Sequence, residues 1–106
     1  MVARGEVYLV NLDPTVGSEV QKTRPCLVIS PDEMNQYIRT IVIAPMTTKR
    51  RSYKSRIGVN FQDKDGEIML DQIRTIDKKR LISKLGQLSI KELRVTLSVL
   101  QEMFTY

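Results

Sequence analysis

Apolar and polar positions fall into short runs through the first two thirds of the chain, and only near the C terminus does a helical period take over. The stretch Glu6-Val7-Tyr8-Leu9-Val10-Asn11-Leu12 carries apolar side chains at both odd and even positions, the mark of a strand covered on both faces. Asp13-Pro14 and Gly17-Ser18-Glu19 break that run, and polar residues continue through Thr23-Arg24-Pro25. The resulting loop of about a dozen residues is longer than the usual ~4 to 6, and long loops in small domains are often functional. Cys26-Leu27-Val28-Ile29 predicts a second strand. Ser30-Pro31-Asp32-Glu33 then supplies a capping Ser, a Pro at the first helical position and a Glu three residues on, which predicts a short helix through Tyr37. Thr40-Ile41-Val42-Ile43-Ala44 is β-branched and reads as a strand ended by Pro45-Met46-Thr47-Thr48.

Beyond the charged stretch 49–56, Ile57-Gly58-Val59-Asn60-Phe61 alternates with period two. Asp63-Lys64-Asp65-Gly66 offers turn chemistry before Glu67-Ile68-Met69-Leu70, so these segments predict a hairpin. Gln72-Ile73-Arg74-Thr75-Ile76 and Leu81-Ile82-Ser83-Lys84-Leu85 add two strands joined by the basic connector Asp77-Lys78-Lys79-Arg80. At the C terminus Ser89 and Glu92 form a capping box, Leu88 and Leu93 can staple, and Leu93, Leu97, Leu100 and Phe104 recur at helical spacing. The pattern predicts a mainly β domain, a small barrel with a short internal helix and a C-terminal helix packed against it. No repeat, linker or low-complexity tract divides it, so residues 1–106 are expected to form a single domain.

Composition narrows the chemistry. The chain carries 17 Lys and Arg against 12 Asp and Glu, a net charge of +5, and the balance favours an anionic partner, nucleic acid first. It has no histidine and one cysteine, Cys26. Those counts remove Ser-His-Asp and Cys-His triads, His-ligated metal sites, Cys-based zinc sites and internal disulfides. Cys26 opens an apolar run and reads as a core residue, as do Met34, Met46, Met69 and Met103. No apolar run approaches the ~20 residues of a membrane span, and the N terminus does not resemble a signal peptide, so a cytoplasmic protein is expected.

Two constellations could carry function. Lys49-Arg50-Arg51-Ser52-Tyr53-Lys54-Ser55-Arg56 holds five of the 17 cations and no acid. Such a stretch suits a flexible nucleic-acid strand, with cations on phosphates and Tyr53 stacked on a base; it equally suits a solvated, mobile loop. The second constellation is Glu19 and Arg24 in the long loop, with Thr47 and Thr48 at a strand end beside the second strand. Pro25 biases Arg24 toward extended backbone. A guanidinium so held matches phosphate oxygens with a planar fork and stabilises charge developing at phosphorus; the competing reading is a surface pair of Arg24 with Glu19 or Asp13. Asp63-Lys64-Asp65-Gly66 lacks the later ligands of a calcium loop, and Asp32, Asp71 and Asp77 are too scattered in sequence to imply a metal-dependent nuclease.

Arg4-Gly5-Glu6-Val7-Tyr8, Gly17-Ser18-Glu19, Thr23-Arg24-Pro25, Ala44-Pro45-Met46-Thr47-Thr48 and Leu70-Asp71-Gln72-Ile73-Arg74-Thr75-Ile76-Asp77 together resemble the MazF/PemK/Kid toxins over essentially the whole chain. The resemblance implies an SH3-like β-barrel with appended helices, a homodimer, and the toxin of a type II toxin-antitoxin system. It implies an mRNA interferase, a metal-independent and cofactor-free endoribonuclease. That activity cuts single-stranded RNA at a short sequence by 2′-hydroxyl attack, leaves 2′,3′-cyclic phosphate and 5′-hydroxyl ends, and inhibits translation and growth. A labile, MazE-like antitoxin is the implied partner. Matched residue by residue, Arg24, Thr47 and Glu19 become the catalytic candidates, with Arg24 on the transition-state charge, Thr47 donating to phosphate and Glu19 available as base. Asn11, Gln21, Lys22, Thr48, Lys49, Arg50, Tyr53 and Arg80 become candidates for RNA contact. A non-catalytic RNA-binding barrel or a gyrase-directed toxin of the same fold is the alternative, the latter weakened because Glu102-Met103-Phe104-Thr105-Tyr106 lacks the Trp-containing tail of those relatives.

Overall fold

The computed structural model describes all residues from Met1 to Tyr106. Seven strands and two helices follow in the order β1 (Glu6–Asn11), β2 (Thr23–Val28), α1 (Asp32–Tyr37), β3 (Thr40–Thr47), β4 (Arg56–Phe61), β5 (Lys64–Met69), β6 (Arg74–Asp77), β7 (Leu81–Gln87) and α2 (Ile90–Met103). Single 3-10 turns, Leu70–Gln72 and Lys78–Arg80, lead into and out of β6. Every strand pairing is antiparallel, and the sheet runs β4-β5-β3-β2-β1-β7 with β6 on the first half of β3. The two end strands come back toward each other: Gln62 Nε2 donates to Leu85 O at 3.0 Å, and Gly86 lies against the Phe61 ring. The sheet therefore curls into a barrel-like half-shell whose seam is bridged by side chains. No helix is long and apolar enough to cross a membrane.

The continuous apolar runs of β2 and β3 have a direct structural cause. Leu27, Ile29 and Ala44 enter one core cluster with Val7, Met46, Ile57, Val59 and Ile68, whereas Cys26, Val28, Ile41 and Ile43 enter a second with Val10, Leu12 and Ile76. Both faces of the central strands are thus buried, as the lack of alternation requires. Cys26 is fully buried, and loss of hydration pushes its thiol up to about 12, so it is a packing residue.

Several boundaries differ from the pattern reading. Strand β2 begins at Thr23 rather than Cys26, so Arg24 lies in a strand and not in the loop. Strand β3 continues through Pro45 to Thr47, because Pro45 sits where β3 leaves β6 after the pair Ile43↔Arg74 and takes up β5 at Met46↔Ile68. Proline is tolerated where a ladder changes partners, since no donor is needed there. Ser30 does not cap α1; its hydroxyl bonds Asn35 and accepts from Val42 N at 3.0 Å, and Pro31 takes the cap position. The β4–β5 turn is Gln62-Asp63, both at positive φ, and Gly66 lies inside β5. Helix α2 is capped by Ser89, whose Oγ accepts from Glu92 N at 3.1 Å, as expected. Its inner face is formed around Leu93, Thr96, Val99 and Leu100, while Phe104 and Met103 are exposed: the helix ends at Met103, so Phe104 is no longer on its stripe.

Candidate active site

The site arises where two strands part. The β2–β3 ladder runs Val28↔Ile43, Leu27↔Ala44, Cys26↔Pro45 and stops. Extending the same register would set Arg24 opposite Thr47. Pro25 and Pro45 flank that point, and neither has an N–H with which to continue the ladder. On their far edges Arg24 stays paired with Val10 of β1, and Thr47 with Glu67 of β5. The strands diverge, and a cavity of about 320 Å³ opens between them, walled by Arg24, Pro25, Met46 and Thr47 and closed by Val59, Phe61 and Gly66 of the β4–β5 hairpin.

Within it, Arg24 Nε donates to Gln21 O at 3.2 Å, which fixes the plane of the guanidinium and leaves both Nη groups without a partner in the chain. Thr47 Oγ1 accepts from Lys49 N at 3.2 Å, so its own proton is available to an acceptor in the cavity. Gly66 is required by the closeness of this packing: a Cβ there would lie 2.4 Å from Thr47 O. Lys22 and Lys64 also line the cavity, giving three cations with Arg24 against one carboxylate, Asp65. Asp65 is bonded to Asn60 Nδ2 at 2.8 Å. The arrangement receives an anion and places a fork of donors and a hydroxyl on it.

Gln21, Lys22 and Thr48 line the same cavity as Arg24 and Thr47. Glu19 does not: its Oε1 accepts from Val16 N at 2.8 Å, and it faces a second concavity with Gln72 and Arg74. Asn11 and Arg80 meet each other instead, through Arg80 Nη1 to Asn11 O at 3.2 Å. Lys49, Arg50 and Tyr53 stand on the loop that follows Thr47, outside the cavity wall. That loop is not free-swinging. Arg51 N and Ser52 N each donate at 2.9 Å to the carboxylate of Glu67, which is 2% exposed. Arg50 Nε lies 3.7 Å from the same group. Arg56 makes a two-pronged bond to Asp71 at 3.0 Å and carries its guanidinium 4.9 Å from the centre of the Tyr53 ring. The Arg51 amide above all, with that of Ser52 and the guanidiniums of Arg50 and Arg56, holds Glu67 below the usual carboxylate range against the opposing effect of burial. The Arg56 hydrogen bond does the same for Asp71.

Glu67, Gly66, Phe61 and Lys64 were not evident from the sequence as parts of this region. The pattern places Gly66 in the turn, and the bonds from Arg51 N and Ser52 N show that the Glu67 carboxylate meets the basic loop. No group of three or more Asp, Glu or Cys side chains comes together in a way that could hold a metal ion. Asp32 bonds Arg4 N, Asp71 bonds Arg56 and Asp77 bonds Lys79 N, each in its own part of the fold.

Residues 3–104 match the model of the PemK-like, MazF-like toxins of type II toxin-antitoxin systems. Endoribonuclease MazF of Staphylococcus saprophyticus is 40% identical, over 89% of this chain and 83% of its own length. Among solved structures, MazF of Deinococcus radiodurans superposes with a TM-score of 0.85 at 22% identity, covering 96% of this chain and 94% of that one. A mycobacterial endoribonuclease in complex with its cognate antitoxin gives 0.84 at 22% identity, covering 100% and 99%. With this match, and with Arg24 and Thr47 facing each other across a cationic cleft, the chain belongs to the PemK-like, MazF-like family of type II toxin-antitoxin toxins.

Proposed function

We propose that this protein is an mRNA interferase: a sequence-specific, metal-independent endoribonuclease that cuts single-stranded RNA in the cytoplasm and so halts translation and growth. The observation that carries the reading is the pairing of Arg24 and Thr47 across one cleft, both with donors unused by the rest of the chain. In the reaction the ribose 2′-oxygen attacks the adjacent phosphorus as its proton passes to water in the open cleft, the P–O5′ bond breaks, and the 5′-oxygen takes a proton back from water. The products are a 2′,3′-cyclic phosphate and a 5′-hydroxyl. The phosphorane carries extra charge on its non-bridging oxygens, and the unpartnered Nη groups of Arg24 meet that charge with a bidentate fork. Thr47 adds a neutral donor to the same phosphate. Lys22 and Lys64 hold the flanking phosphates, and Phe61 offers a face for stacking. Glu19, engaged with Val16 and facing the other concavity, is left out of this catalytic set.

The same reading takes residues 1–106 as one toxin domain acting as a homodimer, with an acidic, MazE-like antitoxin segment that silences it by filling the cationic cleft. The test is digestion of a defined single-stranded RNA by purified protein in EDTA, with cut positions and end groups mapped. Restricted cuts with cyclic-phosphate ends, lost in Arg24→Ala and reduced in Thr47→Val, are expected. A well-folded protein that binds varied RNAs without cutting any would overturn the enzyme reading in favour of a binding barrel.

A further inference from the structure

We propose that Glu67 is a positioning residue that holds the basic loop 48–55 in one shape, so that the loop presents Thr48, Lys49 and Tyr53 to RNA as a fixed platform rather than as a diffuse cloud of charge. The proposal rests on the nuclease reading above and names how one side of that site is built.

Three independent contacts converge on this residue. Its backbone pairs with Thr47, the last residue before the loop. Its carboxylate takes the amides of Arg51 and Ser52, one on each oxygen. Arg50 and Arg56 close on it from either side, at 3.7 and 3.9 Å. Ser52 itself sits at φ 57, a conformation a non-glycine residue keeps only when its surroundings impose it. The loop is thereby clamped at its middle, five residues past Thr47, by the strand residue paired with Thr47. Arg50 packs over Gly58, where a Cβ would come within 2.8 Å of its Nη2, and stays half exposed beside Glu67, whereas the largely covered Arg56 is turned toward Glu67 and Asp71. A carboxylate beneath a basic loop lowers its net charge. If charge alone recruited RNA, Glu67 would be a defect; if shape does, it is the part that supplies the shape.

The two possibilities differ in sign. Removing Glu67 raises the net charge of the protein by one and frees Arg50, while Arg56 stays on Asp71, which tightens binding of a polyanion if only charge matters. If the platform matters, binding weakens. The experiment compares wild type, Glu67→Gln and Glu67→Val on one RNA oligonucleotide cut by the wild type, with circular dichroism to establish that each variant is folded. Expected for Glu67→Val is a KM raised about 10-fold, the size of a lost stacking contact, with kcat within about 2-fold because Thr47 stays held by the β3–β5 ladder. Glu67→Gln, which keeps one acceptor oxygen, should fall between. Amide hydrogen exchange, read without any RNA, should accelerate at Arg51 and Ser52 while β2 and β3 stay protected. A KM that falls or is unchanged in both variants overturns the proposal, as does unchanged exchange at those two amides. A wild type that never cuts RNA removes the nuclease reading instead, and the exchange result then stands apart from it.

Discussion

The two loops that border the cleft are stiffened in opposite ways. The first, residues 12–22, carries its own fasteners: Leu12 N bonds Lys22 O, Lys22 N bonds Asp13 Oδ1, and Val16 N bonds Glu19 Oε1. From outside it is reached by Gln72, accepting from Val20 N and donating to Ser18 O, by the arginines Arg24, Arg74 and Arg80, and by Asn11, whose Oδ1 accepts from Asp13 N. The second, residues 48–55, has no acid of its own and is held by Glu67 and Asp71 from β5 and the turn after it. A loop that brings its own carboxylates can be moved or altered as a unit. One whose partners lie on a neighbouring strand is fixed to the sheet, and its shape depends on strand register.

The largest way to test this division acts at the cleft between the loops. Arg24→Ala should lower turnover by roughly 100- to 1000-fold while RNA binding declines far less, as measured by single-turnover cleavage beside a binding titration. Equal losses in both would assign Arg24 to binding alone. Next, Gly66→Ala puts a methyl group against Thr47 O and should cost about 1 to 3 kcal/mol in urea unfolding, with cleavage reduced more than Thr48→Ala reduces it. A silent Gly66→Ala would mean that the hairpin can retreat from β3 without consequence.

Acid should loosen the second loop. Glu67 and Asp71 are held below their ordinary values of 4.5 and 3.8, so the folded state binds these protons less readily than the unfolded state. Their stabilising contribution is therefore complete at neutral pH and is lost as pH falls below those ordinary values through the lower folded ones. Thermal unfolding followed from pH 7 down to about 2.5 should show that loss, and Glu67→Gln should flatten it. A steeper acid loss in the variant would contradict the assignment. The smallest effect is expected from Asp13→Ala, which removes one exposed fastener of the first loop: about 1 kcal/mol or less in denaturant unfolding, with the amides of Arg51 and Ser52 unaffected.

The same contrast explains what could be read from the sequence. The doubly buried central strands, the capping box of α2 and the candidates Arg24 and Thr47 all lie in local strings, and their order along the chain carries the family resemblance. Features set by pairing across the fold were not readable. Gly66 looks like a turn glycine because Asp65-Gly66 is good turn chemistry, yet the turn closes three residues earlier at Gln62-Asp63. Glu67 looked like one more polar strand residue, and the charged stretch ahead of it looked unopposed, because its carboxylate partner lies 16 positions away. Glu19 stood near Arg24 in sequence but turned into the loop's own hydrogen bonding. Phe104 continued the apolar spacing of α2 past the point where the helix stops.

The parting of β2 and β3 after Cys26 and Pro45 has a last consequence. A cleft opened by a hinged lid can be shut by the same hinge, and such an enzyme can rest in an inactive shape. Here the gap lies where the β2–β3 ladder stops, beside two prolines that cannot extend it, so it is built into the strands themselves. A cleft made by strand register is closed by what fills it, not by a hinge of its own.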